Sequence, residues 1–265
     1  MSTFIFDLDG TIYLEDDLIP GARATLEALR QAGHRVLFAS NSTSLTHRAY
    51  ESKLAELGIA VEPDGLATAP RSVAAYLRAL RDLRSVLVLG SEALAEELTA
   101  AGLLVRADAA QPVDAVVVGR DDAFSYARLR QAQDAVFAGA RLIATDGDRH
   151  VPHQGGLRPG TAPLTAAIET ACFASATVIG KPEPTMFREL MTATGAVPAT
   201  TVVVGDSIVT DIAGAAALGL YSVYVLSGIA QFRPEPLTAA PSLTLPSVAT
   251  LIPSLQWTRP DLLDS

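Results

Sequence analysis

The chain has 265 residues, 49% of them apolar, which is enough for a substantial core in one large domain or two modest ones. Its net charge of −9 argues against a general nucleic-acid binder, which needs a basic face. Every apolar run falls short of the roughly 18 residues of a membrane helix, and acids occupy the N-terminal region where a signal peptide is basic and apolar. We therefore expect a cytoplasmic protein without nucleic-acid or membrane partners.

Short apolar runs alternate with longer helical patterns along the chain. This rhythm predicts an α/β fold, with a parallel sheet covered by helices on both faces. In the first third, the predicted strands cover residues 3–8 and 35–40, and the predicted helices cover 22–32 and 46–57. The turn signal Asp9-Gly10 follows the first predicted strand.

The middle and last thirds continue the alternation. The predicted strands there are 85–89, 115–118, 141–145, 177–179, 201–204 and 222–226. The predicted helices are 73–83, 93–101, 126–138, 161–173, 184–195 and 209–218. Residues 146–160 are predicted to be a loop, followed by Thr161 as a helix N-cap. The tail has no strong pattern, and Trp257 within it is predicted to anchor the tail by packing.

Four chemically distinctive segments each follow a predicted strand. Ligands of open α/β sheets bind outside the carboxyl ends of the strands, so these segments are expected to converge. The first contains Asp7 and Asp9, two acids whose side chains point the same way because strand residues alternate. Two such charges repel unless a cation lies between them or one is protonated. An acidic turn is the alternative interpretation.

The second and third segments offer groups that suit phosphate. Ser40 and Asn41 end a hydrophobic strand with hydroxyl and amide groups, which can hold phosphate oxygens together with free backbone N–H groups. Lys181 leaves another buried strand and is followed by Pro182. At this edge of the sheet its charge could neutralise the acids and attract phosphate. A polar loop and a solvated lysine are the alternatives.

The fourth segment adds two further acids. Asp206 follows a buried β-branched strand and could bind a hard cation, and Asp211 lies five residues on, in the first helical turns. Mg²⁺ prefers oxygen ligands, binds few carboxylates directly and keeps several waters. Two acids that stabilise a helix N-terminus are the alternative.

The four segments, in this order, resemble the haloacid-dehalogenase-like superfamily of aspartyl phosphatases. The matching residues are DLDGT at 7–11, Ser40, Lys181 and GDSIVTD at 205–211. The long insertion, together with IPGA at 19–22 and PGT at 159–161, resembles the NagD-like subgroup with its large α/β cap. The resemblance implies a Rossmann-like core formed by residues 1–71 and 177–265 and an inserted cap formed by residues 72–176.

The resemblance implies a Mg²⁺-dependent phosphatase that hydrolyses a small-molecule phosphomonoester. Asp7 would be the nucleophile, forming an aspartyl-phosphate. Asp9 would protonate the leaving oxygen and then activate water, so a raised pKa is expected for it in the substrate complex. Metal binding is implied for Asp7, the backbone carbonyl of Asp9, and Asp206.

The remaining implied roles concern the phosphoryl group. Ser40, Asn41 and Lys181 would hold it, and Asp211 would support Lys181 and the metal-bound waters. A phosphotransferase of the same superfamily and a non-catalytic binding module stay open as alternatives. Because some NagD-like proteins pair through their caps, a homodimer is also expected as one possible assembly.

The substrate is expected to meet a loop of the cap. The predicted loop residues are Asp146, Asp148, Arg149 and His150, whose side chains could hydrogen-bond a sugar, a polyol or an acid. A solvated loop is the alternative for each of them. The substrate class is therefore left broad: a sugar phosphate, a polyol phosphate, a nucleotide or a similar ester.

Overall fold

The strands of the protein are short and mostly buried. The structure is a computed structural model that describes residues 1–233 and 235–263. The strands are β1 Thr3–Phe6, β2 Tyr13–Leu14, β3 Asp17–Leu18, β4 Arg35–Ser40, β5 Leu66–Thr68, β6 Ser85–Leu89, β7 Leu104–Arg106, β8 Ala115–Val118, β9 Arg141–Ala144, β10 His150–His153, β11 Gly156–Pro159, β12 Thr177–Val178, β13 Thr201–Gly205, β14 Tyr221–Val225 and β15 Leu243–Leu245.

These strands form two separate parallel sheets and two small hairpins. The first sheet has six strands in the order β15-β14-β13-β1-β4-β5, and the second has five in the order β12-β9-β8-β6-β7. Every pairing within both sheets is parallel. Parallel neighbours require crossover connections, which the helices provide. The predicted α/β fold is confirmed.

Helices connect the strands and cover the sheets. They are α1 Ala22–Gln31, α2 His47–Glu56, α3 Ala69–Ala79, α4 Glu92–Ala100, α5 Tyr126–Phe137, α6 Thr161–Cys172, α7 Thr185–Thr194, α8 Ala213–Ala216 and α9 Leu251–Thr258, with a π-helical turn at Ile208–Ile212. Hydroxyl caps start three of them: Thr46 accepts from the Ala49 N–H at 3.3 Å, Ser91 from the Leu94 N–H at 3.1 Å and Ser125 from the Arg128 N–H at 3.4 Å. In residues 1–233 and 235–263, no helix combines the length and apolarity needed to cross a membrane.

Side chains of each strand alternate between two cores. On one face of the first sheet, Phe4 and Phe6 pack with α1, α2 and α9, whereas Ile5 between them packs against α7 and α8 on the other face. The second sheet repeats this arrangement. Val86 and the other residues of its face pack on α3 and α4, and Leu87 packs on the side of α5 and α6. Each sheet therefore has its own hydrophobic core.

Strand β12 lies in the second sheet, whereas the sequence prediction places it in the core domain with the first sheet. It pairs with β9 of the second sheet, with Thr177 opposite Ile143 and Val178 opposite Ala144. The contact with the second sheet continues to Gly180, whose N–H donates to the Thr145 carbonyl at 2.7 Å. The chain reaches the first domain at Lys181, whose ammonium donates to the Ala39 carbonyl.

The predicted loop 146–160 contains a β-hairpin, so the loop prediction is wrong for these residues. β10 and β11 pair antiparallel, with His150 opposite Pro159 and His153 opposite Gly156. Thr161 is also not the N-cap of α6: Gly160 is, and the Thr161 hydroxyl instead donates to Asp146 at 2.8 Å.

The tail is more ordered than its sequence pattern indicates. Leu251 and Leu255, four residues apart on α9, are fully buried against the first sheet. Trp257 is 90% exposed, so the prediction that it anchors the tail is wrong. The leucines anchor the tail instead.

The carboxyl ends of both sheets open onto the same crevice. The Ser91 hydroxyl, just after β6, donates to the carbonyl of Thr43, in the loop after β4. A Cβ atom on Gly119, just after β8, would lie 3.4 Å from the Thr43 side chain. Both sheets therefore contribute residues to the place where α/β proteins bind their ligands.

Candidate active site

A buried lysine links two acids at the centre of the crevice. Lys181 is 1% exposed, and its ammonium donates to Asp7 Oδ1 at 2.6 Å, to Asp211 Oδ1 at 2.7 Å and to the Ala39 carbonyl at 2.9 Å. Burial lowers the pKa of Lys181, but the attraction of Asp211 and Asp7 outweighs it, and the pKa is raised. The lysine stays protonated, and all three of its N–H donors are used.

Asn41 holds the backbone of Lys181 in place. Its Oδ1 accepts from the Lys181 N–H at 2.9 Å, and its Nδ2 donates to the Lys181 carbonyl at 3.0 Å. The sequence assigns Asn41 to phosphate binding, whereas both ends of its side-chain amide are occupied here by the lysine backbone. Phosphate binding by Asn41 stays a prediction, and its side chain positions Lys181.

Asp7 is 8% exposed and directly follows β1. Burial raises the pKa of Asp7 to about 7, against the opposing charge of Lys181 and with the added repulsion of Asp211.

Asp206 lies in a tight backbone cradle. Its Oδ2 accepts from the Ile229 N–H at 2.8 Å, and a Cβ atom on Gly10 would lie 2.4 Å from the same oxygen. Gly10 also has φ 85°, so a side chain there would be strained as well as obstructed. Burial raises the pKa of Asp206 well above its usual range, and the charges of Asp7 and Asp211 add to the rise.

The acidic cluster suits a hard divalent cation. Asp7, Asp206 and Asp211 each offer a carboxylate oxygen, and these oxygens lie within 4.8 Å of one another. One lysine faces the three acids, so an excess of negative charge is left for a cation to neutralise. Asp211 already accepts from Lys181 and, at 3.1 Å, from the Ser207 N–H. These contacts support a positioning role for Asp211, which stays a prediction, and they leave Asp7 and Asp206 as the candidate metal ligands.

Asp9 lines the same recess as this cluster. Burial raises its pKa, in the direction expected for a proton donor, while the charges of Lys53, Lys181 and Arg120 partly offset the effect. The Gly10 N–H after it donates to the Tyr13 carbonyl at 2.7 Å, which fixes the turn that carries Asp9.

Ser40 ends β4 and is 1% exposed. Its hydroxyl accepts from the Ser42 N–H at 3.2 Å, which shapes the loop next to Lys181. The structure thus brings all seven predicted core residues together: the four acids with Ser40, Asn41 and Lys181.

The four predicted substrate-loop residues separate into different places. Asp148 and His150 line the same recess as Asp7 and Lys181. Arg149 instead faces a groove of about 540 Å³ beside α6, and His150 borders that groove as well. Asp146 is 3% exposed, and its carboxylate accepts from the hydroxyls of Thr145 and Thr161 and from the Asp148 N–H. Asp146 therefore shapes the loop.

Asp148 reaches deep into the crevice. Burial raises the pKa of Asp148 well above its usual range; Asp146 adds to the rise, and Lys181 opposes it. The aliphatic residues Val151 and Pro152 complete this side of the recess.

Three residues near the site were missed by sequence reasoning. Arg120 follows β8, and the strand-end rule that located Asp7 would have located it if applied to the second sheet. Thr43 lies in the loop after β4, within the segment already singled out. Glu235 accepts from the Ile208 N–H at 2.5 Å and from the Ser207 hydroxyl at 3.2 Å, and no sequence signal marks it.

Comparison with known proteins identifies the family. The haloacid dehalogenase-like hydrolase family matches residues 4–104, and a second description, HAD-hydrolase-like, matches residues 178–251. An acid sugar phosphatase of Staphylococcus aureus is 32% identical over 226 residues, which cover 85% of this chain and 86% of the relative. The chain belongs to the haloacid-dehalogenase-like hydrolases.

Solved structures agree with this assignment. A glycerol phosphate phosphatase from Mycobacterium tuberculosis, in complex with magnesium, matches with a TM-score of 0.81 and 31% identity, over 94% of this chain and 76% of the other. NagD from Escherichia coli matches with a TM-score of 0.78 and 29% identity, over 94% of this chain and 97% of the other. The resemblance to NagD-like proteins is confirmed.

Proposed function

We propose that this protein is a Mg²⁺-dependent phosphatase that hydrolyses a small-molecule phosphomonoester, with Asp7 as the nucleophile. The observation that carries the proposal is the buried cluster in which Lys181 joins Asp7 to Asp211, with Asp206 beside it. The reaction class, hydrolysis of phosphoric monoesters, agrees with the phosphatases among its relatives.

In the first step, a carboxylate oxygen of Asp7 attacks phosphorus and the bond from phosphorus to the ester oxygen breaks. Asp9 gives its proton to the departing oxygen, so an alcohol leaves and an aspartyl-phosphate stays on Asp7. In the second step, Asp9 takes a proton from water, the water oxygen attacks phosphorus, and Asp7 is released with inorganic phosphate.

The other residues of the cluster supply position and charge. Lys181 has its three N–H donors engaged, so it offers its positive charge to the phosphoryl oxygens while it orients Asp7. Ser40 lines the same recess as Asp7 and would hold a phosphoryl oxygen through its hydroxyl. Asp7, the Asp9 carbonyl and Asp206 would hold Mg²⁺, which would neutralise charge on the transferring phosphoryl group.

The substrate is proposed to be a sugar phosphate, polyol phosphate, nucleotide or similar ester. The relatives named sugar phosphatase and glycerol phosphate phosphatase support the first two classes. The recess over Asp7 measures about 40 Å³, room for a few waters only. Entry of an ester therefore needs the second-sheet domain to move away from the first.

We also propose the division into a core, residues 1–71 and 177–265, and a cap, residues 72–176. The two separate sheets support it. The pairing of β12 favours moving the second boundary to just after Val178. Cytoplasmic location and a homodimer stay predictions, and light scattering on the purified protein would test the dimer.

The test is turnover of nitrophenyl phosphate with Mg²⁺ by the wild type and by Asp7→Asn. The asparagine is nearly isosteric but is a poor nucleophile, so we expect loss of turnover with an unchanged circular dichroism spectrum. Substantial activity in that variant would contradict the mechanism. Transfer of the phosphoryl group to an added alcohol instead of water would indicate the phosphotransferase alternative.

A further inference from the structure

A small side recess lies next to the phosphoryl site and is lined by both domains. Arg120 enters it from the second sheet, two residues after β8 ends. We define the side recess by the residues Asn41, Ser42, Thr43, Arg120, Asp146, Asp148, Val151 and Thr161. Four of these residues also line the recess over Asp7, so the two spaces adjoin.

The Thr43 hydroxyl in this recess is buried without a partner. Thr43 is 2% exposed, and its Oγ1 has no hydrogen-bond partner among the residues that the structure describes. A buried hydroxyl left unpaired is unfavourable. A polar group of a ligand placed in the side recess would satisfy it.

Arg120 is held loosely compared with a neighbouring arginine. Its Nε lies 3.6 Å from Oδ1 of Asp122, whose side chain is 83% exposed, and such surface pairs contribute little. Arg128 differs: its Nε lies 2.7 Å from Oδ2 of Asp121, a side chain that is 3% exposed, and it also donates to the Val88 carbonyl at 3.0 Å. Arg128 is fixed by its surroundings, whereas Arg120 can exchange Asp122 for a ligand.

Among the residues that the structure describes, Arg120 forms an ion pair with Asp122 and not with Asp146 or Asp148, the two acids of the side recess. The carboxylate of Asp146 already accepts from two hydroxyls and one backbone N–H. The side recess adjoins the recess over Asp7, so a group bound by Arg120 would lie next to the phosphoryl site.

We propose that Arg120, with the Thr43 hydroxyl, binds a second anionic group on the leaving part of the substrate. The preferred substrate class is then a phosphomonoester that also carries a carboxylate or another phosphate. A guanidinium pairs with either group through two parallel hydrogen bonds. This inference rests on the proposed phosphatase function and narrows its substrate.

The test compares esters that differ only in the second anion. One arm pairs 3-phosphoglycerate with glycerol 3-phosphate, which has a hydroxymethyl group in place of the carboxylate. The other arm pairs the bisphosphate of propane-1,3-diol with the corresponding monophosphate. We expect wild-type kcat/KM to be about 10- to 100-fold higher for the anionic member of at least one pair, mainly through KM. The arm that shows the preference identifies the anion.

Variants then assign the preference to Arg120. Arg120→Gln should abolish the preference, so that kcat/KM for the two members of a pair comes to within about twofold. Arg120→Lys keeps the positive charge but lacks the planar guanidinium, so it should retain part of the preference for the anionic ester. Arg130→Gln is the matched control, because Arg130 lies on α5 and its side chain is 73% exposed.

Two results would overturn the proposal: no preference in either pair for the wild type, or a preference that survives Arg120→Gln. A wild type that hydrolyses none of these esters, nitrophenyl phosphate included, contradicts the phosphatase function instead. Calorimetric binding of the paired esters to the wild type and to Arg120→Gln would then decide the role of Arg120 separately. Equal binding of both pair members to the wild type contradicts it.

Discussion

The two domains meet at one crevice, but they hold their contributions very differently. Beside the first sheet, Lys181 has three hydrogen-bond partners and is fully enclosed, and the Asp206 carboxylate lies against the backbone of Gly10 and Gly228. On the second, Arg120 has a distant and exposed partner, and His150 lies between two recesses. Preorganised charge suits a chemical step that is the same for every ester. Loosely held side chains suit the recognition of a particular leaving group.

The largest expected effect follows from removing the ammonium group of Lys181, which lies between two buried acids. Lys181→Met leaves Asp7 and Asp211 buried beside each other without compensation. We expect a loss of about 3–5 kcal/mol of unfolding free energy, measured by urea denaturation, together with loss of phosphatase activity. Lys53→Met is the control, because Lys53 pairs with Asp16, which is 96% exposed, and a loss of similar size there would contradict the account.

The proton donor should show an effect that depends on the leaving group. Asp9→Asn cannot protonate the departing oxygen, so kcat for an alkyl ester such as glycerol 3-phosphate should fall about 10²- to 10⁴-fold. Nitrophenolate is a stable anion that needs less protonation, so the loss with nitrophenyl phosphate should be smaller. Equal losses for the two esters, in a steady-state comparison, would show that Asp9 does not act as the acid.

Replacing Asp206 should stabilise the metal-free protein and weaken its binding of Mg²⁺. Its carboxylate is buried near Asp7 and Asp211, so Asp206→Asn removes like-charge repulsion and should raise the melting temperature of the metal-free protein. Mg²⁺ should raise the melting temperature of the wild type by a few degrees and have little effect on the variant. The reverse pattern in differential scanning calorimetry would place the metal elsewhere.

The smallest expected effects concern two neighbouring residues of the cap loop, His150 and Arg149, which face different spaces. His150 borders the recess over Asp7, so His150→Ala should raise KM several-fold and leave stability nearly unchanged. Arg149→Ala should leave KM unchanged, because Arg149 faces the groove beside α6. Identical KM changes for the two variants would remove the distinction that the structure draws between these neighbours.

Strong local patterns account for what could be predicted. The buried apolar runs that became β1, β4 and β13 are regular, and each ends in a polar segment, so the sheet edge and its acids could be located. Short or interrupted elements could not. β5 and β7 have three residues each, and β10 contains Pro152, which weakens the strand pattern.

Contacts between distant segments account for the rest of what the sequence could not predict. Asn41 is of a residue type that suits phosphate binding. Its side-chain amide nevertheless forms hydrogen bonds with the backbone of Lys181, 140 positions away. Asp146 likewise turns inward to two hydroxyls, while Asp148, two residues later, reaches the site. Arg120 becomes noticeable only when the strand-end rule is applied to the second sheet as well as the first.

The central claim is that Asp7 becomes covalently phosphorylated during turnover. The most direct measurement is acid quenching of the enzyme with Mg²⁺ and excess substrate, followed by mass spectrometry of the peptide that contains Asp7. The account predicts one phosphoryl group on Asp7 in the wild type and none in Asp7→Asn. Turnover with no phosphorylated peptide, or with the phosphoryl group on another residue, would contradict it.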